Sequence, residues 1–465
     1  MTKKTLTKLL ELSSSKKFLF LGKESIFTED EIARFLKKYN ITMTKCLEGD
    51  VVATIEPLNL NPVEEDISND AYDAKVPSFS LDEFEKLLSI GINDDELLMA
   101  IKLTNDQSRV FRLLGNENIS EDLFIKLLMM YQWNDEDEDN TQDRDTIMYT
   151  LKRYIDIKPS EADLHYSYLT LRRLATEATN PKLLLALIGF TNFEFLIRGK
   201  ERVTLRETIA RNGCINKEVI SKLTALRDKK VEVALAGNST VHTSLLLTLL
   251  DKENEKINEA LATNENINNE IFKTLLTKED KVVQLLLLTQ KIDVERLSFI
   301  DEQTFDKELF STIGANEHLD KEVLNVLVKR EQETLLCNLS QNITLNVKQL
   351  ETIYKKDIDS TFSYLAINPA MPVALLEEFY TSYKDKDIQL SLANNPSTPK
   401  SVLYALFEKD DLDIQRSMAS NPSIPSDILD ILKVDTRLQS ELAKNPVLIK
   451  GYETVLDYDK KAVQF

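Results

Sequence analysis

The sequence predicts a mainly α protein, in which an α-solenoid of two-helix repeats follows a small α/β domain. Three observations support this fold class. An asparagine recurs at steps of about 26 residues through the second half of the chain. Apolar residues around each asparagine follow the 3.6-residue spacing of helices that are buried along one face. Glycine is scarce, with 10 residues in 465, which favours helices over a β fold with many tight turns.

The recurring asparagine marks the turn between the two helices of each repeat. It stands at Asn212, Asn238, Asn264, Asn316, Asn342, Asn368, Asn395, Asn421 and Asn445, and Gln290 fills the missing position. Because the same residue type recurs at each turn, we expect its side chain to bond main-chain groups there. One helix pair of this length cannot bury its own apolar face, so stacked copies are expected to share a core.

The helix after each asparagine has a predicted cap. Four positions after the asparagine, the sequence has Asn216, Asn268, Asp320, Asn346, Pro372, Pro399 and Pro425. Asparagine and aspartate accept hydrogen bonds from the free N–H groups of a first turn, and proline suits the first helical position. Apolar residues three and eight positions after the asparagine then form the two halves of a hydrophobic staple.

The helix before each asparagine ends with a small residue, two positions before the asparagine. This column contains Ala210, Ala236, Ala262, Gly314, Ser340, Ala366, Ala393, Ala419 and Ala443. We expect the small side chains to let the end of each helix approach the neighbouring repeat closely.

Three C-terminal copies, LAINPAMPVALLEEF, LANNPSTPKSVLYALF and MASNPSIPSDILDIL, share the phrase Ala-x-Asn-Pro-x-x-Pro-x-x-x-Leu. This phrase resembles that of the leucine-rich repeat variant family of bacterial α-solenoids, and the regular array is predicted over residues 201–465. Some members of that family carry a cysteine cluster. This chain has only Cys46, Cys214 and Cys337, which are far apart, so no metal site is predicted and buried free thiols are expected.

Residues 90–200 are predicted to contain divergent helical repeats with an acidic insertion loop at 133–145. The stretch LLGNENISEDLFIKLL, around Asn116, fits the repeat columns, with Ser120 as the predicted cap. The loop carries Asp135, Asp137 and Asp139, which are the ligand types of a calcium loop. The glycine and the twelfth-position glutamate that such a loop needs are absent. A solvated acidic loop is the preferred interpretation, and binding of a basic partner is the alternative.

Residues 17–89 have a different pattern, with short strands on either side of amphipathic helices. The predicted order is strand, helix, strand, strand, an acidic segment, strand and helix, with Thr28 and Glu31 as a capping box and Ser80 as a second cap. The stretches FLFLGKESIFTEDEIARFLKKYNITMTKCLEGDVVATIE and AYDAKVPSFSLDEFEKLL resemble a BRCT domain, a small α/β module common in DNA-repair and replication proteins.

The resemblance to BRCT domains implies the fold but not a phosphate site. In that family a Ser/Thr-Gly pair after the first strand can bind phosphoserine. Here the pair is Leu21-Gly22, which lacks the hydroxyl, and the acidic residues Glu64, Glu65 and Asp66 occupy the second helical region. Binding of a phosphopeptide is therefore not expected.

The chain is acidic, with 58 basic and 77 acidic residues and a formal net charge of −19. Such a chain repels nucleic acid and anionic membranes, and no long run of lysine or arginine reverses this charge locally. No segment approaches the length of about 20 apolar residues that a membrane span requires, and the N-terminus lacks a signal-peptide pattern. A cytoplasmic protein without direct nucleic-acid contact is therefore expected.

The sequence contains no recognisable catalytic, cofactor or metal motif. Its histidines, His165, His242 and His318, have no metal-ligand spacing, and no phosphate-binding glycine motif occurs. Three aromatic residues recur twelve positions after the asparagine in adjacent repeats, namely Tyr354, Tyr380 and Phe407. These are the candidate partner-binding residues, as an exposed aromatic ridge, and the alternative is that they pack in the core between repeats.

These observations lead to a functional hypothesis. The protein is expected to be a non-enzymatic cytoplasmic adaptor or scaffold, without a cofactor, that binds a protein partner through an elongated acidic helical-repeat surface. Two alternatives stay open. One is a DNA-repair or replication-associated factor that uses the BRCT-like domain, and the other is an enzyme with an unrecognised carboxylate site in the solenoid.

Overall fold

The computed structural model describes residues 5–22, 25–91, 93–134, 141–155, 164–197 and 201–448. The chain forms two compact units, residues 1–235 and 236–465, which we call the N-terminal unit and the C-terminal unit. The fold is mainly α, with many consecutive helices and a small parallel sheet near the N-terminus, as the sequence predicts. Within the described ranges, no helix is both long and apolar enough to cross a bilayer.

The N-terminal unit begins with an α/β module. Its elements are α1 (Leu6–Leu12), β1 (Lys17–Phe20), α2 (Glu29–Lys37), β2 (Thr42–Thr44), β3 (Val51–Glu56), α3 (Pro62–Asp73), β4 (Ser78–Ser80) and α4 (Leu81–Gly91). The four strands are parallel, in the order β2-β1-β3-β4, with Phe18 opposite Ala53 and Ile55 opposite Phe79. The two central strands are apolar and mostly buried, as expected for a parallel sheet that is covered on both faces.

The predicted helix starts of this module are confirmed. Thr28 accepts the N–H of Glu31, and the Glu31 carboxylate accepts the N–H of Thr28 at 2.8 Å, which completes the capping box. The Ser80 hydroxyl accepts the N–H of Glu83 at 3.2 Å. The acidic segment, which the sequence defines only weakly as a second helical region, is the helix α3, and its own capping box is formed by Asn61 and Glu64.

A second group of elements completes the N-terminal unit. They are α5 (Asp94–Thr104), α6 (Gln107–Leu114), α7 (Glu121–Met130), α8 (Thr141–Tyr154), α9 (Leu164–Glu177), α10 (Pro181–Leu187), the antiparallel strands β5 (Glu194–Ile197) and β6 (Glu201–Thr204), α11 (Leu205–Ala210) and α12 (Lys217–Ala225). Helix α13 (Lys229–Ala236) follows. The strands β5 and β6 are not predicted by the sequence.

The predicted cap of α7 is confirmed, because Ser120 accepts the N–H of Leu123 at 3.1 Å. The predicted loop at 133–145 differs from the structure, since helix α8 begins at Thr141. Residues 135–140, with the aspartates of the calcium-loop interpretation, lie outside the described residues.

A buried ion pair joins α6 to α2 in the N-terminal unit. The guanidinium of Arg109 bonds the carboxylate of Glu31, and both side chains are almost fully buried. Arg109 also donates to the main-chain oxygen of Ile26 at 3.1 Å. Burial alone would raise the pKa of Glu31, but the hydrogen bonds from Arg109 and Thr28 outweigh it and hold this pKa below its usual range.

The described part of the C-terminal unit, up to residue 448, consists of helix pairs. In chain order they are α14 (Thr243–Leu250), α15 (Glu255–Ala262), α16 (Asn269–Leu275), α17 (Asp280–Thr289), α18 (Val294–Asp301), α19 (Lys307–Ser311), α20 (Lys321–Leu327), α21 (Glu333–Gln341), α22 (Val347–Tyr354), α23 (Asp359–Ile367), α24 (Val373–Ser382), α25 (Lys386–Asn394), α26 (Lys400–Phe407), α27 (Leu412–Ser420), α28 (Ser426–Leu432) and α29 (Gln439–Leu442). We call the odd-numbered helices from α15 onward, which precede the recurring residue, the A helices. The even-numbered helices from α14 onward are the B helices.

The recurring asparagines connect successive repeats. The Asn395 amide donates to the carbonyl oxygens of Ala366 at 2.7 Å and Asn368 at 3.0 Å, and its Oδ1 accepts the N–H of Ser397 at 2.8 Å. The same three-bond pattern is made by Asn264, Asn342, Asn368, Asn421 and Asn445. We call these six residues the asparagine ladder. The predicted bonding of the asparagine to main-chain groups is confirmed.

The column of small residues supplies one acceptor for each ladder amide. The oxygens that accept these bonds belong to Ala236, Gly314, Ser340, Ala366, Ala393 and Ala419. A Cβ atom at Gly314 would lie 2.9 Å from the main-chain oxygen of Leu335 and 3.0 Å from the nitrogen of Leu339. The predicted close approach of neighbouring helices is therefore present, and at this position it excludes any side chain.

The repeat that contains Gln290 departs from the pattern. Its longer side chain still donates to the oxygens of Ala262 at 2.8 Å and Asn264 at 3.0 Å. Its Oε1 accepts from Arg296 at 3.3 Å, where the ladder asparagines accept a main-chain N–H. Asn316 then donates to the oxygens of Leu287 and Gln290, at 2.6 and 2.8 Å.

The predicted B-helix caps are only partly present. Asn268 and Asn346 accept first-turn N–H groups, and in the N-terminal unit Asn216 does the same for α12. Asp320 forms no side-chain cap. Pro372, Pro399 and Pro425 stand one residue before the first helical residue. There the fixed φ of proline suits the extended chain that leads into the helix.

Candidate partner-binding groove

The exposed faces of four successive A helices form a groove of 1070 Å³ in the C-terminal unit. It crosses α19, α21, α23 and α25. Its lining consists of Glu308, Ser311, Glu333, Thr334, Cys337, Asn338, Asp359, Ser360, Phe362, Ser363, Tyr364, Tyr383, Asp385, Asp387 and Ile388.

The repeat determines which side chains reach this groove. In each A helix, the apolar positions seven and three residues before the recurring asparagine face the core, as Leu335 and Leu339 do in α21. The residues eight and nine positions before the asparagine then lie in the first turn and face solvent. Because the ladder holds consecutive A helices side by side, these first turns line up across the repeats.

The charged residues that line the groove are all acidic. Its lining contains five carboxylates, Glu308, Glu333, Asp359, Asp385 and Asp387, and no lysine, arginine or histidine. All five residues are exposed. A carboxylate in the first turn of a helix is stabilised by the helix dipole, so a single such carboxylate does not by itself indicate a binding partner. The alignment of one first-turn carboxylate in each of four neighbouring helices produces a continuous field that a cation would neutralise.

One lysine beside the groove bonds carboxylates of the next repeat. Lys386, at the start of α25, bonds Asp411 at 3.2 Å and Asp413 at 2.7 Å. These hydrogen bonds raise the pKa of Lys386, which stays charged. Arg416 lies 3.4 Å from Asp413 as well. The carboxylates of Asp411, which caps α27, and of Asp413 are thus paired within the chain, in contrast to those that line the groove.

Aromatic side chains form the floor of the groove. Phe362 is buried and its ring centre lies 4.8 Å from that of Tyr383. Phe379 packs behind both rings, at 5.7 Å from each. Tyr364, on the same helix as Phe362, is 38% exposed within the groove. The groove therefore combines carboxylates with aromatic surface, which is the combination that binds guanidinium and ammonium groups.

The three aromatic residues that the sequence singles out lie on the B helices, at equivalent positions of α22, α24 and α26. Tyr354 is half-buried, and its ring contacts Phe362 at 5.9 Å and Phe379 at 5.5 Å, so it supports the groove floor from behind. Burial raises the pKa of its phenol. Tyr380 faces Lys384 and Lys409, at 5.9 and 5.2 Å from its ring centre. Phe407 is half-buried at the end of α26.

The sequence interpretation missed the groove residues themselves. The signal was present, because Glu308, Glu333, Asp359 and Asp387 all stand eight or nine positions before the recurring asparagine. Reading these columns for charge as well as for apolar residues would have found them.

The cysteines differ from the expected buried thiols. All three are free, but Cys46 and Cys214 are exposed and Cys337 is half-buried in the groove. Burial raises the pKa of the Cys337 thiol, which keeps it neutral and a weak nucleophile. Across the described part of the chain, no group of three or more histidine, cysteine, aspartate or glutamate side chains is arranged to hold a metal ion.

The N-terminal unit has a cavity of a different character. It measures 660 Å³ and has Glu117, Glu121, Lys152 and Arg153 among its lining residues, so both charge signs are present.

In the α/β module, the N–H of Gly22 donates to the Glu64 carboxylate at 3.1 Å. The main-chain amide of the Leu21-Gly22 pair is therefore bonded to an acidic group of the chain itself.

No family model, curated protein or solved structure matches the chain.

Proposed function

We propose that the protein is a non-enzymatic scaffold that binds a cationic segment of a protein partner in the groove of the C-terminal unit. The observation that carries this proposal is the groove lining, with five carboxylates, no cationic residue and an aromatic floor. A positively charged segment would neutralise this field and gain electrostatically guided association.

The proposal includes the finer interpretation of the fold. The helix pairs form an α-solenoid of the leucine-rich repeat variant type, supported by the Asn-Pro phrases and by the asparagine ladder that joins their copies. The N-terminal module is BRCT-like, supported by its parallel strands and their order. A cytoplasmic location agrees with three free cysteines. Among the described residues, no comparable observation favours the DNA-maintenance or the enzyme hypothesis.

The test is a binding titration with a fluorescent peptide rich in arginine and lysine, followed by anisotropy at several salt concentrations. One variant removes groove charge, with the substitutions Glu333→Gln, Asp359→Asn and Asp387→Asn. A matched control removes three exposed first-turn carboxylates from the B helices, with Glu270→Gln, Glu295→Gln and Glu322→Gln. Each variant loses three negative charges, and in both the charges come from the first turns of helices.

We expect binding to the unmodified chain that weakens as salt rises, because the contacting groups are exposed charges. The groove variant should lose affinity by about tenfold or more, and the control should keep it. Equal losses in the two variants would show a general effect of net charge. Absence of binding at low salt would overturn the proposal.

A further inference from the structure

The distance between neighbouring A helices gives the approximate step from one groove carboxylate to the next. Glu308, Glu333, Asp359 and Asp387 each lie in the first turn of one A helix, and the four helices are consecutive. Packed helices lie about 8–10 Å apart. The ladder and the small-residue column enforce close packing here, since one asparagine amide reaches the main chain of the preceding repeat.

Three residues of an extended peptide span about the distance between two neighbouring A helices. A polyproline II segment rises about 3.1 Å per residue and has three residues per turn, so every third side chain returns to the same face after about 9.3 Å. A β-strand covers a similar distance in three residues, but its side chains alternate, so the third one points to the opposite face. An α-helix rises about 1.5 Å per residue and needs about six residues for one step, which do not return to the same face.

The groove also distinguishes between the two basic side chains. A guanidinium forms two parallel hydrogen bonds to a carboxylate and stacks on aromatic rings, whereas an ammonium acts as a point charge. Tyr364 and Tyr383 line the same groove as Asp359 and the other carboxylates. This arrangement favours arginine.

We infer that the groove binds an extended, polyproline II-like segment of a partner in which an arginine recurs at every third residue, one for each A helix. The inference rests on the proposed function and specifies its partner. Four arginines in ten residues would place one guanidinium on each of the four first-turn carboxylates.

The test uses synthetic peptides of identical composition and net charge that differ only in the order of their residues. One has arginine at every third position, one at every second position, and one has four consecutive arginines. Each is titrated against the unmodified chain. We expect the every-third peptide to bind about tenfold more tightly than the other two, since only it pairs all four carboxylates at once.

A double-mutant cycle then tests the register. The affinity of the Asp359→Asn variant is measured with four every-third peptides, each with one arginine replaced by glutamine. Coupling should be concentrated at one of the two interior arginines. The B-helix variant Glu322→Gln is the matched control and should show no coupling with any of them.

The outcomes separate the two proposals. If all three residue orders bind equally, or if coupling is spread evenly over the four arginines, the register inference is wrong and the acidic groove remains a binding site for basic segments. If none of the peptides binds, the proposed function itself fails.

Discussion

The side-chain amide of Asn395 donates to the main-chain oxygen of Asn368 at 3.0 Å, so one recurring asparagine holds the main chain of the asparagine one repeat earlier. Both residues are almost fully buried. The same amide also bonds Ala366, and its oxygen accepts the N–H of Ser397. A single side chain thus satisfies three main-chain groups that water cannot reach easily, and its removal leaves them without partners.

We predict that Asn395→Ala lowers the free energy of unfolding of the full chain by about 2–4 kcal/mol, because buried main-chain groups lose their hydrogen bonds. Urea unfolding followed by circular dichroism measures this change. The control is Asn394→Ala, at the neighbouring half-buried residue, whose oxygen accepts only one bond from Ser420. It should cost less than about 1 kcal/mol. Equal costs would contradict the structural role of the ladder.

Gly314→Ala should destabilise the chain although alanine is the better helix former. The new methyl group would lie 2.9 Å from the Leu335 oxygen, which belongs to main chain and cannot rotate away. We expect a loss of about 1–3 kcal/mol in urea unfolding. Gly213→Ala is the matched control, because a Cβ there meets nothing within 4 Å. A neutral result for Gly314→Ala would show that the repeats are packed less closely than described.

The buried pair of Arg109 and Glu31 predicts an asymmetric mutational response. Arg109→Met leaves the Glu31 carboxylate buried without its cation and should cost about 3–5 kcal/mol. Adding Glu31→Gln removes that charge while keeping a side chain that can complete the capping box with Thr28. The double variant should therefore be more stable than Arg109→Met alone in thermal or urea unfolding. A double variant that is less stable than Arg109→Met would contradict this account.

The same carboxylate predicts a pH dependence. The pKa of Glu31 in the folded chain lies below its ordinary value of 4.5. Its stabilising contribution is therefore fully present above that ordinary value, and it is lost as the pH falls toward the folded pKa. Unfolding free energies measured from neutral pH to below pH 4.5 should fall more steeply for the unmodified chain than for the Glu31→Gln variant. Parallel curves would show that Glu31 is not the titrating group.

Tyr354 and Tyr380 should respond differently to truncation, although they occupy equivalent positions in their repeats. Tyr354 contacts two aromatic rings of the groove floor, so Tyr354→Ala should lower the free energy of unfolding by about 2–4 kcal/mol. Tyr380 faces only lysine side chains among its described ring contacts. Tyr380→Ala should cost less than about 1.5 kcal/mol. Similar losses for both would indicate that the two residues share one packing role.

Features that depend on neighbouring residues in the chain could be predicted from the sequence. The capping box of Thr28 and Glu31, the cap of α7 and the turn asparagines all involve bonds between residues two or three positions apart. The spacing of these residues is visible in a short stretch of sequence, and for the turn asparagines it recurs in each repeat. The acceptors of the ladder amides lie one repeat away, and the regular step of the asparagine places them at a fixed distance along the chain.

Other features could not be predicted because their signal is weak or not local. Helix α3 has only Ala71 among its buried residues, so it lacks the apolar periodicity that identifies a helix. The strands β5 and β6 are four residues each, too short for alternation to be recognised. The groove carboxylates have a recurring position in the sequence, but that they line one groove follows only after the repeats are stacked.

The asparagine ladder has a direction. The amide of each ladder residue reaches toward the N-terminal side of the chain, as from Asn421 to Ala393 and Asn395, at 2.8 and 3.0 Å. During synthesis on a ribosome, the acceptors for a new repeat have therefore already been made when its asparagine emerges. Each repeat can complete its contacts with chain that is already present, and growth of the array can keep pace with translation at about 5–20 residues per second.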